Sequence, residues 1–106
     1  MKWDQNLTID QWQELIGKHN TSRGFRSTND ALDFWRGLVL IHSELSELAE
    51  DYYVHGEITE NGREELADVA IRVLDFADRH EINLEYEIIK KMRINEKRPF
   101  RHGKKG

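Results

Sequence analysis

Cysteine is absent from this chain of 106 residues, which excludes disulfide bonds and thiolate metal sites. Proline occurs only as Pro99, so no ring constraint interrupts a helix before that position. No apolar run approaches the roughly 18 residues of a membrane span, and residues 1–10 contain no apolar stretch typical of a secretion signal. No segment alternates polar and apolar residues with the period of a strand. We therefore expect a cytoplasmic all-α protein that forms one domain over residues 1–106 and does not associate with membranes.

Charged residues make up 34% of the chain and hydrophobic residues 38%, which predicts a thin core that packing between subunits would enlarge. The net charge of −4 conceals an asymmetry, because acidic residues predominate up to His80 and basic residues predominate after it. A basic end on an acidic body has two interpretations. It binds nucleic acid or an acidic partner, or it returns to the acidic groups in a folded site where metal and an anion bridge the two.

Apolar residues recur at helical spacing in four segments, which predicts helices over residues 8–18, 29–53, 61–80 and 83–97. Thr8 suits the N-cap of the first helix, Thr28 or Asn29 that of the second, and His55-Gly56 the C-terminus of the second. The polar residues 19–27 are expected to form a loop, and the basic tail 99–106 to be flexible unless a ligand or partner orders it. The core candidates are Ile9, Trp12, Leu15 and Ile16, then Leu32, Trp35, Leu38, Ile41, Leu45 and Leu48, then Leu66, Ala67, Ala70, Ile71, Leu74 and Ala77, and finally Leu84, Ile88, Ile89 and Met92.

Two acidic pairs have the same spacing, Glu44 with Glu47 on the second helix and Glu65 with Asp68 on the third. Positions three apart share a helix face, so each pair can direct both carboxylates the same way. The pairs are also symmetric about Gly56, in the predicted turn. An antiparallel helical hairpin would therefore bring the four carboxylates to one level.

Four converging carboxylates repel one another unless a cation is present, and hard oxygen ligands suit Mg²⁺, with Mn²⁺ as a possible substitute. The alternative is that both pairs lie on solvated helix faces, since acidic residues are abundant in this chain. On the fourth helix, Lys91, Asn95 and Arg98 share one face. They form either a grip for phosphate groups or a solvent-exposed basic surface.

The stretches LIHSELSELAE, EELADVAIRVLDFAD and KMRINEKRPFRHGKK resemble the MazG-like family of all-α nucleotide pyrophosphohydrolases, especially its compact bacterial and phage members. The resemblance extends from about Gly24 to Lys105. The paired acidic motif is moderately specific, and its combination with the Lys-x-x-x-Asn-x-x-Arg-Pro segment is much more so.

The resemblance implies a four-helix domain with a central antiparallel hairpin, assembled as a homodimer or homotetramer with sites completed between subunits. It implies an Mg²⁺-dependent enzyme that converts NTPs or dNTPs to monophosphates and pyrophosphate and so maintains the nucleotide pool. By position, the metal ligands would be Glu44, Glu47, Glu65 and Asp68, and the contacts to phosphate or sugar would be Lys91, Asn95 and Arg98. No stable nucleic-acid complex is expected.

Three further assignments concern particular residues. Within the reaction that the resemblance implies, Glu47 is the candidate to activate water. His19, Phe25 and Trp35 are candidates to stack on the base, with core packing as the alternative for Trp35. Arg72 and Asp75 are expected to form an internal or surface ion pair. The competing functions are a non-catalytic helical module that binds nucleic acid or a partner through the basic C-terminal segment, and a purely structural helical oligomer.

Overall fold

The computed structural model describes Trp3, residues 6–23 and residues 31–98. Four helices follow one another in this part of the chain: α1 (Ile9–Ser22), α2 (Ala31–His55), α3 (Glu60–Arg79) and α4 (Leu84–Glu96). No strand occurs among the described residues, which confirms the all-α prediction. Phe25, the predicted caps Thr28 and Asn29, and the tail 99–106 lie outside the described residues.

The helix termini follow from local hydrogen bonding. Thr8 caps α1 in a capping box with Gln11, and Thr59 and Asn83 cap α3 and α4 through their side chains. Gly56 has a φ of +70°, a left-handed conformation that glycine adopts without steric cost, and it ends α2 as predicted.

The predicted end of α1 was wrong, because the helix continues past Lys18 to Ser22. The polar residues of this last turn are accommodated by bonds within the helix. The Thr21 hydroxyl donates to the Gly17 carbonyl at 2.8 Å, and the Ser22 hydroxyl donates to the His19 carbonyl at 2.8 Å. Polar composition therefore did not indicate a loop here.

Helices α2 and α3 form an antiparallel hairpin whose register is symmetric about Gly56, as the acidic pairs predict. At the open end, Arg79 donates to Asp33 at 2.6 Å. Near the turn, Thr59 donates to Asp51 at 2.7 Å, and this hydrogen bond is the largest cause that lowers the pKa of the Asp51 carboxyl. We call the region between these two ends, where α2 and α3 face each other, the hairpin groove.

The helices approach closely at Gly37. A Cβ added there would lie 2.7 Å from Cδ1 of Phe76, so the Phe76 ring occupies the space that a larger residue would need. The absence of a side chain at this position lets an aromatic ring form part of the floor of the groove.

The predicted hydrophobic core was largely wrong for a single chain. Among the described hydrophobic residues, only Ile16 and Ala77 are buried. The apolar stripes form as the helical period requires, but the other described helices cover them only in part. Trp35 is 62% exposed and Met92 61%. Other core candidates that lie exposed are Ile9, Leu32, Leu45, Leu66, Ala67, Ala70, Ile71, Ile88 and Ile89.

The remaining helices pack unevenly. Helix α1 lies mainly against α3, α4 packs on α1, and α4 contains no buried residue. Within the ranges that the structure describes, no helix has both the length and the apolar character needed to cross a membrane.

Candidate metal centre

Three carboxylates converge in the hairpin groove one to three turns from the hairpin connection. Glu44, Glu47 and Glu65 each offer an oxygen, and these oxygens all lie within 4.8 Å of one another. We call this set the carboxylate trio. Glu44 is buried, Glu65 half-buried and Glu47 exposed, so the trio extends from the protein interior to solvent.

The trio is electrostatically strained. Burial raises the pKa of the Glu65 carboxyl above its ordinary value, and a hydrogen bond with Glu44 raises it further. Repulsion from the charges of Glu47, Glu44 and Asp68 acts in the same direction. One Glu65 oxygen, Oε2, is buried and has no hydrogen-bond partner in the described part of the chain. A buried acceptor without a donor is costly, and a cation would satisfy it.

Asp68, the fourth predicted ligand, is not part of the trio. It lies one turn along α3 from Glu65, close enough to raise the pKa of Glu65, but its side chain is exposed. The residue placed symmetrically to it about Gly56 is Glu44, whose carboxylate bonds to Arg72 instead. The structure therefore brings three of the four predicted ligands together and places the fourth beside them.

The predicted pair between Arg72 and Asp75 is replaced by two other pairs. Nε of Arg72 donates to Oε1 of Glu44 at 3.0 Å across the groove, and Asp75 lies 3.5 Å from Arg79 on its own helix. Arg72 thus fixes the orientation of the most buried carboxylate of the trio.

A cleft of about 400 Å³ lies beside the trio, and its lining extends from Asp68 and Arg72 to Asp33 and Arg79 at the open end of the hairpin. We call it the arginine cleft. Three arginines and three aspartates line it together with apolar side chains, so its fixed charges balance. The lining residues are Asn20, Asp33, Arg36, Gly37, Leu40, Asp68, Ile71, Arg72, Asp75, Phe76 and Arg79.

The predicted phosphate grip lies elsewhere in the single chain. Lys91 and Asn95 are exposed on α4 and Arg98 follows its end, while none of the three lines the arginine cleft or belongs to the trio. Helix α4 packs on α1 and makes no comparable contact with the hairpin over residues 31–79. Intrachain packing thus does not bring the basic face to the carboxylates.

Phe25 and Trp35 are the aromatic candidates to stack on a base. Phe25 lies outside the described residues. Trp35 is neither buried nor part of the cleft wall, and its ring meets Phe34 edge-on at a centroid distance of 5.7 Å. Core packing of Trp35 within one chain is therefore wrong.

Sequence reasoning missed Asp33, Arg36 and Arg79. A signal for one pair was present, since Asp33 and Arg79 are symmetric about Gly56 like Glu47 and Glu65, and their charges are opposite. Arg36 also lies two turns before Glu44 on a similar face of α2. Extending the register to the far end of the hairpin would have identified the cleft.

Comparisons of this chain with protein-family models, with curated proteins and with solved structures give no match.

Proposed function

We propose that this protein is an Mg²⁺-dependent nucleotide pyrophosphohydrolase that converts NTPs or dNTPs to monophosphates and pyrophosphate and so maintains the nucleotide pool. The observation that carries the proposal is the trio of carboxylate oxygens within 4.8 Å, one of whose members holds a buried oxygen without a donor. The motif resemblance supplies the reaction, and the trio supplies a place for its metal.

The donor set fits a hard divalent cation. All three side chains offer carboxylate oxygen, which Mg²⁺ and Mn²⁺ prefer, and the mutual repulsion of the charges would be relieved by a positive ion. Glu44, Glu47 and Glu65 would hold it, and Asp68 lies near enough to join them directly or through water. Bound there, Mg²⁺ would neutralise charge on the triphosphate and act as a Lewis acid beside it.

The difference in burial between Glu44 and Glu47 gives the two residues different roles in the reaction. Glu44 is held by Arg72 and keeps one orientation, whereas Glu47 is exposed and can reach solvent water. Glu47 accepts a proton from a water molecule while the water oxygen bonds to the α-phosphorus. The bond from that phosphorus to the bridging oxygen breaks, and pyrophosphate leaves with the electron pair.

A second copy of the chain would supply the phosphate grip. Helix α4 has no buried residue, and its apolar side chains Ile89 and Met92 are exposed next to Lys91. Packing this face against another subunit would cover the apolar surface and allow Lys91, Asn95 and Arg98 to reach the partner's carboxylates. We therefore expect a homodimer or homotetramer.

Sedimentation analysis tests the assembly. Met92→Glu places a charge on the exposed apolar face of α4 and should convert the oligomer to monomers with loss of turnover. Arg93→Glu introduces the same side chain at an adjacent exposed position outside the proposed grip and should leave the mass unchanged. A wild-type protein that sediments as a monomer at micromolar concentration would contradict the shared site.

Pyrophosphate release from each common NTP and dNTP, with Mg²⁺ and with EDTA, tests the reaction. Glu47→Gln should reduce kcat by about 100-fold or more, since general-base contributions are typically 10²–10⁴-fold. Glu50→Gln, an exposed acid on the same helix, should retain full activity. No release from any nucleotide would reject the enzyme. Salt-sensitive binding without turnover would instead support a module that binds nucleic acid or a partner through its basic C-terminal segment.

A further inference from the structure

The arginine cleft adjoins the carboxylate trio. Arg72 lines the cleft and bonds to Glu44 of the trio, and Asp68 lines the cleft and influences the charge of Glu65. A molecule whose phosphates lie at the trio would therefore extend directly into the cleft. We propose that the cleft binds the nucleoside part of the substrate and that Arg36 selects a guanine base, an inference that rests on the proposed function.

The size and walls of the cleft suit a nucleoside. Its volume of about 400 Å³ lies within the usual range for small-molecule sites, roughly 300–1,000 Å³. Leu40 and Ile71 are 38% and 42% exposed and face it together with the Phe76 ring, so apolar surface is available for a flat base.

The spacing along the groove also fits. Arg36 precedes Glu44 by two turns of α2, which corresponds to about 12 Å along the helix axis. This distance is comparable with the length of a nucleoside 5′-phosphate. Phosphates at the trio and a base edge at Arg36 can therefore belong to one nucleotide.

Arg36 differs from the other two arginines of the cleft in its lack of an ion pair with a described residue. Arg72 is engaged by Glu44, and Arg79 bonds to Asp33 at 2.6 Å. Arg36 lines the cleft and forms no ion pair with another described residue. Its guanidinium is thus the one in the cleft wall that no carboxylate of the described residues pairs, so none of its donors is taken by an ion pair.

The chemistry of a guanidinium favours guanine. Its planar N–H groups donate two parallel hydrogen bonds to two adjacent acceptors, which guanine presents as O6 and N7. Adenine presents an amino donor in place of O6 and cannot accept both bonds. Uracil and thymine present no two adjacent acceptors, while cytosine presents N3 and O2, so a guanidinium distinguishes guanine from adenine, uracil and thymine. A guanine nucleoside triphosphate is the expected substrate.

Arg36→Ala, compared with wild type in two measurements, tests the assignment. In the first, kcat/KM for GTP should exceed that for ATP, and Arg36→Ala should reduce the GTP value by roughly 5- to 150-fold while changing the ATP value little. Arg36→Lys keeps the charge without the planar fork and should also lose the preference. Arg63→Ala, an exposed arginine of α3 outside the cleft, is the matched control and should keep it.

The second measurement is calorimetric binding of GMP and AMP in EDTA, which requires neither metal nor turnover. Wild type should bind GMP more tightly than AMP, and Arg36→Ala should bind both equally weakly. Turnover without a guanine preference, or equal losses for GTP and ATP in Arg36→Ala, would overturn the role of Arg36 and leave the proposed function standing. An Arg36-dependent GMP preference without any triphosphate turnover would reject the proposed function and support the cleft.

Discussion

Near the turn, the groove between α2 and α3 collects three carboxylates, whereas at its open end an aspartate faces an arginine. Glu47 with Glu65 at one end and Asp33 with Arg79 at the other lie at positions symmetric about Gly56 on the same two helices. Asp33 is 1% exposed and its charge is met by Arg79 at 2.6 Å, whereas the trio concentrates like charges in one place. One end of the hairpin thus pairs opposite charges within the protein, and the other gathers charges of one sign, whose repulsion a bound cation would offset.

Breaking the ion pair between Asp33 and Arg79 should give the largest change in stability. Asp33→Ala removes one partner of a buried pair, and the carboxylate of Asp75, at 3.5 Å from Arg79, is more distant than the one that is lost. The free energy of unfolding should fall by about 3–5 kcal/mol, measured by urea denaturation. The double variant Asp33→Leu/Arg79→Met removes both charges and should recover most of the loss. A loss below about 1 kcal/mol in Asp33→Ala would show that the pair does not hold the open end together.

Removing a carboxyl charge from the trio should raise the stability of the metal-free protein, which is the opposite of the effect expected at Asp33. The raised pKa of Glu65 means that the folded protein binds this proton more tightly than the unfolded chain does. Wild type in EDTA should therefore lose stability as the pH rises from the ordinary glutamate value of about 4.5 through the raised pKa. Glu65→Gln lacks this titration and should melt at a higher temperature than wild type at neutral pH.

Added Mg²⁺ should reverse the order of the melting temperatures of wild type and Glu65→Gln. Binding to the folded state alone stabilises it, so wild type should gain several degrees in melting temperature and Glu65→Gln should gain less. Glu64→Gln, its exposed neighbour, should respond to pH and Mg²⁺ like wild type. If Glu65→Gln melts below wild type in EDTA, the trio does not strain the metal-free fold.

The smallest effect on stability is expected from a substitution of Gly56, in the turn that connects the two helices. Nothing lies within 4 Å of a Cβ added there, so Gly56→Ala incurs only the backbone cost of a left-handed conformation, about 1 kcal/mol. Thermal unfolding should show this modest loss, and the Mg²⁺ response should be unchanged. Ser46→Ala, at an exposed position of α2, should cause no loss. A larger effect of Gly56→Ala on Mg²⁺ binding than on stability would mean that the turn adjusts the trio directly.

Much of this arrangement follows from the sequence because helical spacing and a turn glycine are local properties. The pairing of Glu47 with Glu65 required only a 3.6-residue period and the position of Gly56. The preference of Arg72 for Glu44 over Asp75 depended on side-chain conformations across two helices, which spacing does not specify. Trp35 and Met92 were expected in a core because an apolar stripe indicates a face to be covered and not which element covers it.

The turn at Gly56 also determines which residues of α2 and α3 lie at the same level of the hairpin. One residue inserted between Gly62 and Glu65 would rotate Glu65 by about 100° relative to the capped first turn of α3 and remove it from the groove. Seven residues inserted in each helix, between the trio and the arginine cleft, would change the facing by only about 20° per helix. The separation of the two ends could therefore be lengthened in steps of two turns, which would set a defined distance between the carboxylate trio and the arginine cleft.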